Sequence, residues 1–209
     1  MSRVENKYPG LNLGDHHGSA HEGAESLVFG FWVFLMSDLI IFGLMFATYV
    51  TTLNPGAMAG GPGPVELFDI NSALIQTLLL LTSTLTFGMA SLSLRHEQGK
   101  RNLTVWLCVT LVLGLGFLSF ELRDFAKMLA AGAGPDRSGF LSAFFGLVPL
   151  HGLHVTAGII WLVIMLIQIH VIGLVPMVKT RLLRLGLFWH FLDIIWIGIF
   201  SVVYLWGLA

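Results

Sequence analysis

The chain has 209 residues, of which 56% are hydrophobic and only 11% charged, against about 25% charged in an ordinary soluble domain. Together with a mean hydropathy of +0.82, this excludes a typical soluble globule and points to a polytopic helical membrane protein. Eleven lysines and arginines balance twelve acidic residues, so there is no basic surface of the kind that neutralises nucleic-acid phosphates. The single cysteine, Cys108, lies in an apolar run; it forms no disulfide within the chain, and cysteine-ligated zinc or iron–sulfur centres are excluded.

Residues 1–26 are polar, contain no short apolar core of a signal peptide, and carry His16, His17 and His21. They read as a flexible cytoplasmic arm, in which the histidines are either solvated or a loose metal-binding group. The rest, 27–209, reads as one membrane domain. Apolar runs at about 27–50, 70–94, 103–122, 140–172 and 185–207 are each long enough to cross a hydrocarbon core, which takes about 20 residues. The fold class is therefore all-α with five transmembrane helices. The fourth run contains Pro149 and reads as one tilted helix, because neither half alone would span. Between the first two runs, NPGAMAGGPGP at 54–64 is too rich in glycine and proline for regular structure and reads as an irregular external loop.

Orientation follows from the cations, since translocating lysine and arginine is disfavoured. With five spans, Arg3, Lys7, Arg95, Lys100, Arg101, Lys179, Arg181 and Arg184 fall on one side, and only Arg123, Lys127 and Arg137 on the other. This places the N-terminus inside and the C-terminus outside.

An ionisable side chain at membrane depth costs about 2.5–3.5 kcal/mol on insertion scales and needs a partner, a cavity or a role. Six stand out: Asp38 in FLMSDLIIF, Glu121 in LSFELRDF, His151 and His154 in PLHGLHVTAG, and His190 and Asp193 in FWHFLDIIW. Asp38 has no lysine or arginine within a turn and is expected to be protonated or hydrogen-bonded across helices, as a proton-handling group or as a packing one. Gly43 and Ala47 beside it suggest a closely packed side. His151 and His154, about 4.5 Å apart along a helix, can face one neighbour. They could serve as metal or haem ligands, or bond to Glu121, Asp38 or a backbone carbonyl. His190 and Asp193 repeat the spacing and could relay protons or satisfy each other, with Trp189, Trp196 and Ile197 on the same stripe. Trp189, Tyr204 and Trp206 read as an interfacial aromatic belt. Glu121, Arg123, Asp124 and Lys127 read as a solvated helix end, and Asp136 and Ser138 as caps of span four.

Two alternatives belong to other classes: a haem b membrane cytochrome ligated through His151, His154 and His190, and a proton-coupled transporter using Asp38 and the His190–Asp193 pair. The absence of fixed-period repeats or inverted symmetry weakens the second.

The chain resembles subunit III of the haem-copper respiratory oxidases over nearly all five spans. The resemblance is carried by LMSDLIIFGLMFATYV with Asp38 at the family's buried carboxyl, by Glu121, and by HGLHVTAG at 151–158 and FWHFLDIIW at 188–196. Five spans, GPDRSGFLSAFF at 134–145 and the VVYLWGLA ending are most similar to the form found in bacterial cytochrome bo-type ubiquinol oxidases; the cytochrome c oxidase version is the alternative. The resemblance implies a non-catalytic accessory subunit of a proton-pumping terminal oxidase in a bacterial inner membrane, with no catalytic, metal or cofactor-binding residue of its own. Haems and copper would lie in subunit I, and the partners would be subunits I, II and IV. Phospholipids would occupy a cleft between the first two helices and the remaining bundle. Asp38, Glu121, His151, His154, His190 and Asp193 then become buried polar or lipid-adjacent groups. The departure is Asp38 for the family's usual Glu, one methylene shorter.

Overall fold

A computed structural model describes residues 17–59, 62–96 and 99–208. Every regular element among them is helical: α1 (His17–Thr51), α2 (Pro55–Met58), α3 (Pro64–Leu67), α4 (Ile70–Arg95), α5 (Lys100–Ala130), α6 (Gly139–Val171) and α7 (Pro176–Ile199). A wider π-type turn, Phe200–Leu205, and a final tight turn, Trp206–Leu208, prolong α7. Five of these segments are long and apolar enough to cross a membrane: 26–51, α4, α5, α6 and 176–205. Helices are the expected solution there, because hydrocarbon offers no water to satisfy a bare amide.

The boundaries follow local chemistry. Asp69 caps α4 by accepting from the Asn71 N–H at 3.0 Å, and Ser138 caps α6 by accepting from the Leu141 N–H at 3.2 Å. Prolines occupy the first turns of α2, α3 and α7, where a missing N–H costs nothing. Gly99 before α5 and Gly173 after α6 have φ of 98° and 84°, a left-handed backbone that favours glycine. Pro149 does not divide the fourth span, since α6 runs through it without a break.

α4, α5, α6 and α7 close a four-helix ring in which α4 packs on α5 and α7, and α6 on α5 and α7. α1 lies outside this ring against α6 and α7. It buries a single stripe, Leu35, Asp38, Phe42 and Tyr49, and turns Phe29, Trp32, Ile40 and Leu44 outward. Spans one and two therefore do not form a unit set against the rest: α1 is the outlying helix, and α4 is an integral wall of the bundle.

The ring closes tightly because glycine admits large aromatic rings. A Cβ added at Gly114 would lie 3.0 Å from the Trp189 indole, one at Gly158 would lie 3.3 Å from it, and one at Gly186 would lie 2.9 Å from the Phe87 ring. Trp189 is almost completely buried, and its indole N–H donates to Ser83 Oγ at 3.1 Å.

Several expectations need correction. The described part of α1 is helical from its first residue, His17, so helix replaces part of the arm expected to reach residue 26; residues 1–16, with His16, lie outside the described residues. The loop after span one holds two helical turns, α2 and α3, because Asn54 and the prolines initiate them. α5 runs to Ala130, and the fifth span starts at Pro176 rather than near 185. Gly43 and Ala47 face outward, not into a packed seam. Trp189 and Tyr204 are core residues, leaving Trp206 exposed as the belt residue.

Gly114→Leu is expected to lower stability in detergent by about 1–3 kcal/mol, the usual cost of overpacking. Thermal unfolding followed by tryptophan fluorescence measures this, and an unchanged midpoint would contradict the Trp189 packing.

Candidate functional site within the membrane

Asp38 and His154 come together across the α1–α6 contact, with His154 Nε2 3.6 Å from Asp38 Oδ2. That is ion-pair distance rather than a hydrogen bond. The other imidazole nitrogen, Nδ1, lies 2.7 Å from the Leu150 carbonyl oxygen; a carbonyl only accepts, so Nδ1 carries the proton. In a neutral imidazole Nε2 then presents a lone pair toward the carboxyl. The Phe42 ring lies tilted beside His154, with ring centroids 5.3 Å apart.

His151, one turn away, is fully buried. Its ring is enclosed by Phe42 at 6.3 Å, Phe117 at 6.0 Å and Trp196 at 5.5 Å. Glu121 is buried in the α5–α6 contact, where its carboxyl rests on Gly152; an added Cβ there would lie 2.9 Å from both carboxyl oxygens. Neither Glu121 oxygen nor either His151 nitrogen has a hydrogen-bond partner among the described residues. The solvated helix end expected for Glu121 is thus overturned, because the bundle continues past it.

His190 and Asp193 are not brought into a mutual pair among the contacts described. The His190 ring meets the Phe87 ring edge-on at 6.2 Å. Asp193 is buried, Oδ1 has no hydrogen-bond partner, and the Thr84 hydroxyl of α4 is its polar neighbour. Ile197, on the same stripe of α7 by helical spacing, is exposed.

A haem does not fit these histidines. Both nitrogens of His154 are directed at Leu150 and Asp38, and His151 is walled by three aromatic rings. Among the described residues no three His, Cys, Asp or Glu side chains converge as a metal site.

Sequence reasoning missed the polar seam of α4. Asp124 accepts from Ser72 Oγ at 2.5 Å and from Gln76 Nε2 at 2.8 Å, with Lys127 Nζ 3.7 Å away. Trp196 Nε1 donates to Thr77 Oγ1 at 3.0 Å, and the Thr86 and Thr110 hydroxyls are 2.8 Å apart. The signal was available as small and polar residues recurring on one helical face, Ser72, Gln76, Ser83, Thr86, Ala90 and Ser93, all buried, the pattern by which membrane helices adhere. Ser138 caps span four as expected, and Ser142 Oγ donates to the Pro135 carbonyl.

These features define a class, an all-helical membrane protein with five segments long and apolar enough to span. A sequence profile described as cytochrome c oxidase subunit III matches residues 9–208, and the chain belongs to that family. It is 48% identical over 187 residues to the cytochrome bo(3) ubiquinol oxidase subunit 3 of Pseudomonas putida, covering 90% of this chain and 89% of that one. It is 45% identical over 195 residues to the protein of the same description from Pseudomonas aeruginosa, covering 93% and 92%. With the quinol oxidase subunit 3 of Bacillus subtilis it shares 41% over 182 residues, covering 87% and 88%.

Asp124→Ala strands the Ser72 and Gln76 donors and is expected to cost about 1–3 kcal/mol, whereas Asp124→Asn retains an acceptor and loses less. Denaturant unfolding in micelles gives both values, and equal losses would contradict the hydrogen-bond assignment.

Proposed function

We propose that the chain is the non-catalytic subunit III of a proton-pumping terminal oxidase that takes electrons from quinol, embedded in a bacterial inner membrane. The supporting observation is that its intramembrane histidines are committed to helix contacts, His154 to Asp38 and Leu150, His151 to an aromatic cage. Such a chain supplies no ligand set and leaves chemistry to its partners. Haems and copper belong to subunit I in this reading, and subunits I, II and IV are its neighbours. Quinol as donor is favoured by the descriptions of the relatives in Pseudomonas and Bacillus.

The N-terminus is assigned to the cytoplasm on the distribution of lysine and arginine. The outward apolar side of α1, with Phe29, Trp32, Ile40 and Leu44, then meets lipid or a partner subunit, and phospholipids fill the grooves that flank α1. Asp38, Glu121, His151, His154, His190 and Asp193 act as buried polar groups that hold the subunit together beside subunit I, with Asp38–His154 supporting proton uptake and durability during turnover.

Affinity purification of the tagged chain in mild detergent, with mass spectrometry of what remains bound, tests this. Recovery of a large haem-copper subunit, with a subunit II lacking copper-binding cysteines, is expected. Copper-ligating cysteines there would move the donor to cytochrome c, and recovery of this chain alone would overturn the accessory role. Asp38→Ala is expected to leave haem content per complex unchanged while activity decays faster during continuous turnover. Parallel loss of haem and of initial rate would argue against it.

A further inference from the structure

Where α5 begins and α6 ends, Lys100, Arg101, Thr104, Val105, Cys108, Val109 and His170 line an open groove with a cavity volume of about 610 Å³, inside the range of roughly 300–1,000 Å³ typical of small-ligand sites. Its chemistry is graded. Lys100 and Arg101 sit at the helix end, and Val105, Cys108 and Val109 follow at successive turns of the same stripe, all exposed. Lys100 Nζ donates to the His170 carbonyl at 3.2 Å, which ties α5 to α6 at the groove's mouth and leaves two of its three N–H donors for a ligand. Arg101 forms no ion pair with a described residue, and its planar fork suits the paired oxygens of a phosphodiester. Cys108 lies about 11 Å along the helix from the two cations, so the apolar part of the groove runs inward from the membrane surface.

A cationic mouth over an apolar trough at a helix pair's membrane boundary matches one molecule in shape and charge. We propose that this groove binds an anionic phospholipid, its phosphodiester on Lys100 and Arg101 and one acyl chain along Val105, Cys108 and Val109. This deepens the lipid-holding part of the reading above and rests on the membrane placement of the chain. It names a site remote from α1, with a required headgroup charge. Basic pockets between transmembrane helices are recognised places for anionic headgroups.

The test is native mass spectrometry of the intact, delipidated oxidase complex titrated with phosphatidylglycerol or phosphatidylcholine. The wild type is expected to form one phosphatidylglycerol adduct tighter than any phosphatidylcholine adduct. In Lys100→Gln/Arg101→Gln that adduct weakens by about tenfold to thirtyfold, the effect of losing two cation contacts, with phosphatidylcholine unaffected. Val105→Trp leaves both cations in place and fills the trough, and it weakens the same adduct, which a site for free phosphate would not show. Adducts unchanged within twofold in both variants overturn the proposal. Loss of other subunits from the charge variant would overturn it too, by making the groove a protein contact. Subunit composition and the haem spectrum, read on the same samples, report the accessory role separately: a complex that assembles but ignores headgroup charge refutes only the lipid site.

Discussion

An indole N–H inside a hydrocarbon layer has no water to turn to, and the fold is arranged so that Trp189 finds Ser83 instead. The bond requires α7 to approach α4 closely, while Gly114 of α5 and Gly158 of α6 give the same indole its space. One side chain thereby fixes the relative depth of four helices. The gain from one such bond is small, averaging about 0.6 kcal/mol in membranes, but the penalty for missing it is larger, and only one register of the bundle avoids that penalty. Trp196 repeats the device one helical segment further along, donating to Thr77.

The same rule separates the polar groups into two kinds. Asp124, Ser72 and Gln76 satisfy one another near the end of the bundle and act as a clasp between α4 and α5. Asp38 and His154 also meet across helices, but 3.6 Å apart, beyond hydrogen-bond reach. Glu121 and His151 are walled in without partners among the described residues. Among the described residues none of these gathers into a group of three potential metal ligands.

Five spans were legible in the sequence because long apolar runs are local signals. The meeting of Asp38 with His154 was one of several pairings that remained open, since spacing along a helix gives a face but not the helix it meets. Glu121 and Asp124 misled for a related reason. Beside Arg123 and Lys127 they resemble a solvated helix end, but α5 continues to Ala130, with α6 burying Glu121 and α4 half-burying Asp124. Trp189 misled because an aromatic near a span's expected start suggests an interface, whereas α7 begins nine residues earlier and carries it into the core. The arm before residue 27 was read as flexible on polarity alone, yet the described residues from 17 onward are helical.

The attachment of α1 has a consequence for how the protein is made. α1 rests on α6 and α7, so the first span to leave the ribosome has no lasting place to dock until the last two have entered the bilayer. More than a hundred residues separate Asp38 from His154 in the chain, and throughout that interval the aspartate faces lipid or transient company. Its solitary carboxyl meets an imidazole synthesised long afterwards. Chain order and contact order thus differ at this point, since α1 completes its packing only with helices that begin more than a hundred residues after its own start.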